Sequence, residues 1–204
     1  MKLLPLFIIV ISFLPFISYN GINSNKSSST QITSIINKRV PHFTGYLLSD
    51  SIVDENFLKN KVVLLNFMFI GCRPCMKELP KLDALKEKYG KKNFSIITVI
   101  ANAVEDIRSY QGIGDTSKVF YKFRMERKYI KINTPIIAEC KTRIDTRDLL
   151  IPCVGNISKS FQVDAYPISY LVDNNGIIRK KYYGPIIDTL IYNDLQRQIE
   201  TLLK

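Results

Sequence analysis

Residues 62–75 read Val-Val-Leu-Leu-Asn-Phe-Met-Phe-Ile-Gly-Cys-Arg-Pro-Cys and join an apolar run to a pair of cysteines. The run Val62–Met68 is almost continuously apolar, which is typical of a buried strand in a parallel sheet. Cys72 and Cys75 follow where an amphipathic helix begins. A thiol at a helix start faces unpaired N–H groups and the positive end of the helix dipole, which favour its thiolate. A cysteine one turn later can close a disulfide with it, so the stretch predicts a dithiol–disulfide switch.

The segments after the cysteines extend this stretch into a β-α-β unit. Apolar residues recur at steps of three or four after Cys75, and Gly90 stands where a C-terminal helix cap belongs. Pro80 lies inside this helix and predicts a kink. Phe94–Ala101 is a second apolar strand, so a right-handed crossover connects two parallel strands.

The remaining pattern predicts short elements on both sides of this unit. His42–Leu48 and Asp50–Leu58 form a lead-in strand pair. Two helices and two strands are predicted in the insertion at about 103–155: Ile107–Tyr110, Val119–Tyr129, Ile132–Ala138 and Leu149–Val154. A short helix, Ile157–Phe161, follows. Next come the two strands of a hairpin, Ile168–Asp173 and Ile177–Tyr183, around the turn Asn174-Asn175-Gly176. A closing amphipathic helix is predicted over Ile186–Leu203.

The N-terminus is predicted to be an export segment. Residues 3–17 are apolar behind a single Lys2, but the run is too short, and too interrupted by Pro5 and Pro15, for a membrane span. A cleaved signal peptide over residues 1–20 and a retained N-terminal membrane anchor stay open as alternatives. Residues 21–40 are predicted to be a flexible linker and 41–204 one domain. Either alternative places this domain outside the cytoplasm, in the periplasm or anchored at the membrane, where disulfides persist.

The net charge of +11 raises nucleic-acid binding as an alternative. The basic residues are spread along the chain, and an exported protein meets little nucleic acid. We therefore attribute the positive charge to solvated surfaces or to an acidic partner, and we expect no nucleic-acid partner.

Three motif segments carry a resemblance to a known family. They are Asn66-Phe67 before Cys72-Arg73-Pro74-Cys75, Glu78-Leu79-Pro80 in the helix, and the stretch from Phe161 through Tyr166-Pro167 to Gly176. They resemble the thioredoxin fold, and more narrowly the TlpA/ResA-type thiol-disulfide oxidoreductases that act outside the cytoplasm. The resemblance implies an α/β fold, a three-layer α/β/α sandwich on a mixed central sheet, with an insertion before the cis-proline segment. The family's aromatic residues before the first cysteine are replaced here by Met68 and Gly71, so we expect an altered surface around Cys72.

The resemblance and the helix-start chemistry assign the same roles to the two cysteines. Cys72 is the expected nucleophile and Cys75 the thiol that resolves the mixed disulfide. The Arg73 cation favours the thiolate. Pro74 lacks a backbone N–H, which is not needed in the first helical turn. Both residues are therefore expected to tune the redox properties of the cysteine pair. The alternatives are a structural disulfide or half of a metal site.

Three further residues take roles from the resemblance. Glu78 lies three residues after Cys75 on the same helix face and is expected to carry the proton of the deeper thiol; the alternative is a solvated glutamate. Pro167 is expected to be the cis-proline that packs against the disulfide, rather than an ordinary trans proline. A cis bond exposes the backbone of Tyr166, which could then pair with a substrate peptide.

Two other cysteines and one histidine complete the inventory. Cys140 and Cys153 form either a second disulfide or two buried free thiols. His42 is the single histidine and nothing recommends it as a ligand. No metal is expected, and no cofactor other than the Cys72–Cys75 disulfide.

The sequence thus predicts an enzyme that exchanges electrons with protein thiols and disulfides, as a reductant re-reduced by a membrane electron donor. Cytochrome c maturation and disulfide rescue are settings that the resemblance suggests. A disulfide-forming oxidant is the nearest alternative. A thiol peroxidase is weaker because Phe69, not threonine, stands three residues before Cys72, and a copper chaperone is weaker because it would need a wider cysteine spacing and a late histidine.

Overall fold

The computed structural model describes residues 34–114, 130–142, 152, 153 and 155–204, and the packed unit begins at Ser34. The export segment predicted over residues 1–20 lies outside these residues, as do the helix Val119–Tyr129 and most of the linker 21–40. Most of the strand predicted over Leu149–Val154 lies outside them too. None of the helices in the described ranges has the length and hydropathy needed to cross a membrane.

A mixed sheet of seven strands, counted over the described residues, forms the centre of the fold. The strands are β1 Gly45–Tyr46, β2 Ile52–Val53, β3 Val62–Met68, β4 Phe94–Ala103, β5 Ile136–Cys140, β6 Ile168–Val172 and β7 Ile178–Tyr183. Their order is β2-β1-β5-β4-β3-β6-β7. Strands β3, β4 and β5 run parallel, so their carboxyl ends meet at one edge. Strand β6 runs antiparallel to β3 and therefore begins at that same edge.

Four helices of the described residues cover the sheet: α1 Arg73–Tyr89, α2 Val104–Gln111, α3 Asn156–Ser160 and α4 Thr189–Leu202. Alternate residues of β3 supply the two cores. Val62, Leu64 and Met68 pack with buried side chains of α1, α2 and α4. Val63, Leu65 and Phe67 pack on the other face with Ile157 of α3 and with Phe161. The fold is thus the predicted three-layer α/β/α sandwich of thioredoxin type.

Helix α1 is built by its ends and by one apolar face. The side chain of Cys72 caps its N-terminus, and Gly90 closes its C-terminus by donating to the carbonyl of Lys86 at 2.8 Å. Its buried side chains are Cys75, Glu78, Leu79, Leu82, Leu85 and Tyr89. Glu78 is the carboxylate among these otherwise uncharged side chains, and its contacts belong to the candidate active site.

Several predicted boundaries are confirmed and others need correction. Strand β3 is confirmed to the residue, and the hairpin of β6 and β7 forms as predicted. Residues 55–58 form a 3-10 helix instead of continuing a strand, because Asp54 caps it. The closing helix starts later than the predicted Ile186, because Asp188 caps it through the N–H groups of Leu190 and Ile191.

The last residues assigned to the flexible linker are part of the packed unit. Asn37 donates to the carbonyl of Ile178 at 2.7 Å, and Val40 donates to that of Gly176 at 2.8 Å. Val40 is also buried in the core. The ordered domain therefore starts before the predicted residue 41, because this segment hydrogen-bonds to the start of β7.

Candidate active site

The two cysteines of the motif form a disulfide at the start of α1, with their Cα atoms 5.3 Å apart. Cys72 precedes the first helical residue, and the backbone N–H of Cys75 donates to Cys72 Sγ at 3.3 Å. Cys72 is 5% exposed and Cys75 is fully buried. Of the two, Cys72 is thus the cysteine nearer the surface, and the helix start supplies a donor that favours its thiolate.

The loop before Cys72 is fixed by one side chain from the neighbouring strand. The N–H of Ile70 donates to Asn102 Oδ1 at 2.8 Å, and Asn102 itself is buried. Gly71 adopts a φ of 98°, in the left-handed region that a side chain disfavours. Glycine, rather than an aromatic residue, fits this backbone.

Glu78 is fully buried below the disulfide on the same face of α1 as Cys75. Its Oε1 accepts from Asn66 Nδ2 at 2.8 Å and its Oε2 accepts from the backbone N–H of Ile186 at 2.8 Å. Burial raises the pKa of Glu78 to about 7, against the opposing effect of the two hydrogen bonds. The alternative of a solvated glutamate is therefore wrong, and this carboxyl changes charge near neutral pH.

The Tyr166–Pro167 peptide bond is cis, as the resemblance implied. Pro167 directly precedes β6, whose first residue Ile168 pairs with Phe67 at the end of β3, so it lies at the edge where the cysteine loop begins. The carbonyl of Pro167 accepts from the N–H of Gly184 at 3.0 Å. The ring of Tyr166 packs edge-on against Phe69, with centroids 5.5 Å apart. The loop thus has an aromatic contact at Phe69 although Met68 and Gly71 replace the expected ones.

Arg73 and Pro74 are both exposed in the first turn of α1. Solvent screens the Arg73 guanidinium, so its effect on Cys72 is weaker than a buried cation would have. The two residues form the outer rim of the disulfide.

The structure joins Cys140 and Cys153 in a second disulfide, with Cα atoms 6.4 Å apart. Cys140 ends β5, and Cys153 donates its N–H to the carbonyl of Ala101 at 2.8 Å. This bridge therefore lies at the same edge of the sheet as the Cys72–Cys75 centre, on the far side of β4.

His42 is exposed, and its Nδ1 lies 2.5 Å from Oε1 of the partly buried Glu55. Within the described part of the chain, no three His, Cys, Asp or Glu side chains group closely enough to hold a metal ion.

Sequence reasoning missed a second buried carboxylate near this edge. Glu139 is 4% exposed and accepts from both the N–H and the hydroxyl of Ser158, whose Oγ lies 3.1 Å from the hydroxyl of Tyr166. The sequence signal for it was the position of Glu139, a charged residue within the apolar strand β5 and one residue past the end of the predicted strand Ile132–Ala138. Asn102 and the backbone of Ile186 were missed as well, and no local pattern marks either.

Comparisons with known proteins agree with this geometry. The model of the AhpC/TSA family matches residues 36–181. The chain is 20% identical over 185 residues to the thioredoxin-like protein YneN of Bacillus subtilis, covering 90% of this chain and 91% of that one. It is 26% identical over 169 residues to the thiol-disulfide oxidoreductase ResA of Bacillus cereus, covering 83% and 79% of the two chains.

Solved structures show the same fold. The thioredoxin domain of a thiol-disulfide oxidoreductase from Bacteroides vulgatus superposes with a TM-score of 0.56 at 22% identity, covering 82% of this chain and 99% of that one. A thiol:disulfide interchange protein from a Bacteroides species gives a TM-score of 0.55 at 23% identity, covering 81% and 90%. With a family model that spans most of the described domain, the chain belongs to the AhpC/TSA family and has the thioredoxin-like fold of its TlpA/ResA-type members.

Proposed function

We propose that this protein is a thiol-disulfide oxidoreductase that works outside the cytoplasm and reduces disulfides in other proteins. The observation that carries the proposal is the pairing of a helix-start disulfide, Cys72–Cys75, with the buried carboxyl of Glu78 on the same helix face. The relatives named as thiol-disulfide oxidoreductases support the reaction class. The disulfide itself is the redox group, with no further cofactor in the cycle.

The reaction moves two electrons from the cysteine pair to a substrate disulfide. The thiolate of Cys72 attacks one substrate sulfur, forms a mixed disulfide and releases the first substrate thiol. Cys75 then attacks Cys72 Sγ, which breaks the mixed disulfide and releases the second substrate thiol. The enzyme is left with the Cys72–Cys75 disulfide; the proton of Cys75 leaves by way of an internal acceptor to solvent, and the two released substrate thiolates take up protons from water.

Glu78 supplies the proton step that the deeper cysteine requires. Cys75 is fully buried and reacts only as a thiolate, so its proton must pass to a group inside the protein. With a pKa of about 7, Glu78 is ionised in a large fraction of molecules at neutral pH and can accept that proton. Proton acceptance by Glu78 thus allows the mixed disulfide to resolve.

Tyr166 and Pro167 form the substrate-binding element in this proposal. Both residues directly precede β6 at the edge of the sheet where β3 ends, and we assign them the binding of an extended substrate peptide. Arg73 and Pro74 form the rim that the substrate passes.

The direction of electron flow depends on two opposed groups. The N–H donor at the helix start stabilises the Cys72 thiolate, which raises the reduction potential and favours an oxidant. The buried Glu78 carboxylate disfavours a neighbouring thiolate and lowers the potential, while Arg73 is screened by solvent. We assign the larger effect to the buried group, so the protein is a reductant that a membrane electron donor regenerates.

A redox titration decides between reductant and oxidant. Equilibration of the protein in glutathione and dithiothreitol buffers is expected to give a potential near the thioredoxin value of about −270 mV. A potential near the about −120 mV of a strong oxidant would reverse the direction. A variant with Cys75→Ser, incubated with a disulfide-containing protein, should accumulate a mixed disulfide through Cys72. A Cys72→Ser variant serves as its control and should trap none.

The extracytoplasmic location needs its own experiment. Alkaline phosphatase, which is active only where its disulfides form, would be fused to the C-terminus of the full chain. We expect the fusion to be active. We also expect its activity to be lost when residues 1–20 are removed. The mass of the purified protein then distinguishes a cleaved signal peptide from a retained anchor.

A further inference from the structure

A chain of three hydrogen-bonded side chains connects the end of β5 to the residue before the cis-proline. Glu139 Oε2 accepts from Ser158 Oγ at 2.7 Å, and its Oε1 accepts from the backbone N–H of Ser158 at 2.5 Å. Ser158 Oγ lies 3.1 Å from the hydroxyl of Tyr166. Glu139 is 4% exposed and Ser158 is fully buried, so water does not compete for these bonds.

The donors and acceptors of this chain fix its direction. A serine hydroxyl carries one proton, and Ser158 gives it to the Glu139 carboxylate. Tyr166 must therefore donate to Ser158 Oγ, which sets the orientation of its hydroxyl. The ionised Glu139 carboxylate thus determines the direction of the hydrogen bond between Tyr166 and Ser158.

The segment before α3 closes over the carboxylate. A Cβ atom at Gly155 would lie 2.8 Å from Glu139 Cγ and 2.8 Å from the Glu139 carbonyl oxygen, so only glycine allows this approach. The segment at Gly155 therefore packs directly against Glu139, the carboxylate that binds Ser158. Burial raises the pKa of Glu139, while the hydrogen bonds from Ser158 oppose that shift.

Tyr166 is held from a second side by the loop that carries Cys72. Its ring meets Phe69 edge-on, and its side chain packs against both core clusters of the sheet. A side chain fixed at its ring and at its hydroxyl has little conformational freedom to lose when a substrate binds.

We propose that Glu139 is a positioning residue which, through Ser158, fixes Tyr166 so that the site favours extended peptide disulfides over small-molecule disulfides. The inference rests on the proposed function, because it concerns the surface on which the substrate of Cys72 binds. Peptides depend on this surface because, in the proposed function, an extended substrate binds beside Tyr166 and Pro167. A small disulfide needs contact with the outer sulfur, that of Cys72, and not with this surface.

The test compares two rate constants on the reduced full-length protein. One is for a ten-residue peptide bearing a glutathione mixed disulfide, and the other is for hydroxyethyl disulfide. Ser158→Ala removes the relay hydroxyl but keeps the backbone N–H that binds Glu139, and Tyr166→Phe removes the other end of the same bond. Each variant is expected to lower the ratio of the two rate constants, peptide over hydroxyethyl disulfide, about fivefold, which is the effect of one hydrogen bond.

The double variant and Glu139→Gln make the test specific. Because both single changes break one bond, the double variant Ser158→Ala with Tyr166→Phe should lower the ratio by the same about fivefold and no further. In Glu139→Gln the amide NH₂ donates to Ser158 Oγ, so the Tyr166 hydroxyl must change from donor to acceptor, and the ratio should fall. Multiplied losses in the double variant, or an unchanged ratio in Glu139→Gln, would overturn the proposal.

Thr134→Val is the matched control. Its hydroxyl shares a buried hydrogen bond of 2.5 Å with that of Thr98, and its loss should lower stability without changing the ratio. An equal fall of the ratio in this variant would mean that general destabilisation explains the effect and would overturn the proposal. Failure of the proposed function differs from this, since the wild-type protein would then not react with either disulfide through Cys72.

Discussion

Asn66 Nδ2 donates to Glu78 Oε1 over 2.8 Å, from the central strand to the helix that starts at the redox disulfide. Both side chains are fully buried, so this bond and the one from the Ile186 N–H replace the water that a carboxylate would otherwise bind. Two donors are not enough to offset burial, and the pKa of Glu78 rises to about 7. Glu78 therefore links the stability and the chemistry of the protein to pH.

The oxidised protein should lose stability as the pH rises through neutrality. A carboxyl with a raised folded-state pKa binds more protons in the folded state, so its contribution is fully present below the unfolded pKa of 4.5 and is lost as pH rises through about 7. We expect this group to remove about 2 kcal/mol of unfolding free energy between pH 5 and pH 8. Glu78→Gln should abolish this loss, measured by urea unfolding at both pH values.

Glu87→Gln on the exposed side of the same helix is the control for that measurement. It should keep the pH dependence of the wild-type protein. A constant difference in unfolding free energy between wild type and Glu78→Gln across this range would contradict the raised pKa.

The same substitution should slow the resolution of a mixed disulfide. Without a carboxylate to accept its proton, Cys75 becomes a thiolate more slowly, and we expect release at pH 7 to fall about a hundredfold, the lower end of a positioned acid–base group. Stopped-flow measurement from pH 5.5 to 8.5 should also give a flatter profile near neutrality. An unchanged profile in Glu78→Gln would exclude Glu78 as the proton acceptor.

Asn66→Ala should move the midpoint of that profile to higher pH. Loss of a donor to the charged form raises the pKa of Glu78 further, by about one unit for a charge-assisted hydrogen bond. Ser169→Ala removes the other bond of Asn66, 3.0 Å to Ser169 Oγ, and keeps the contact with Glu78. It should leave the midpoint in place, and equal shifts in both variants would mean that the packing of Asn66, not its donor, determines the pKa.

Removal of the second disulfide should destabilise the protein without removing its redox centre. Cys140 and Cys153 are thirteen residues apart, and a bridge of that span restricts the unfolded chain by about 3 kcal/mol. Cys140→Ala with Cys153→Ala should lower the unfolding free energy by that amount while Cys72 still forms mixed disulfides. Peptide mapping of the wild-type protein without reduction should recover the 140–153 link, and free thiols at both positions would contradict it.

The sequence predicted those elements whose signal is local. Val62–Met68 is apolar at every position but one, and Asn174-Asn175-Gly176 supplies the backbone angles of a tight hairpin, so both were predicted correctly. The start of α4 was placed too early, because Ile186 continues the apolar pattern of the helix. Its N–H is instead used by Glu78, 108 residues earlier in the chain, and Asp188 caps the helix.

The site was predictable only where the motif itself specified it. Cys72, Cys75 and Glu78 are spaced by one helical turn, so their shared face follows from the sequence. The Glu139–Ser158 pair does not follow from the sequence, since its residues are nineteen positions apart and joined through the end of the insertion at about 103–155. A hydrogen bond between distant segments depends on the register of the sheet, and no local pattern encodes it.

The N–H of Ile186 has one more consequence, for the tolerance of this position to substitution. A donor that belongs to the main chain remains whatever side chain is attached to it. Apolar replacements at residue 186 should therefore change the packing of the core and still hold the Glu78 carboxyl. Proline alone among the amino acids would remove that bond, because it carries no N–H. A saturation library at 186 should therefore tolerate many residues of similar size, and proline should fail at the redox step even in molecules that fold.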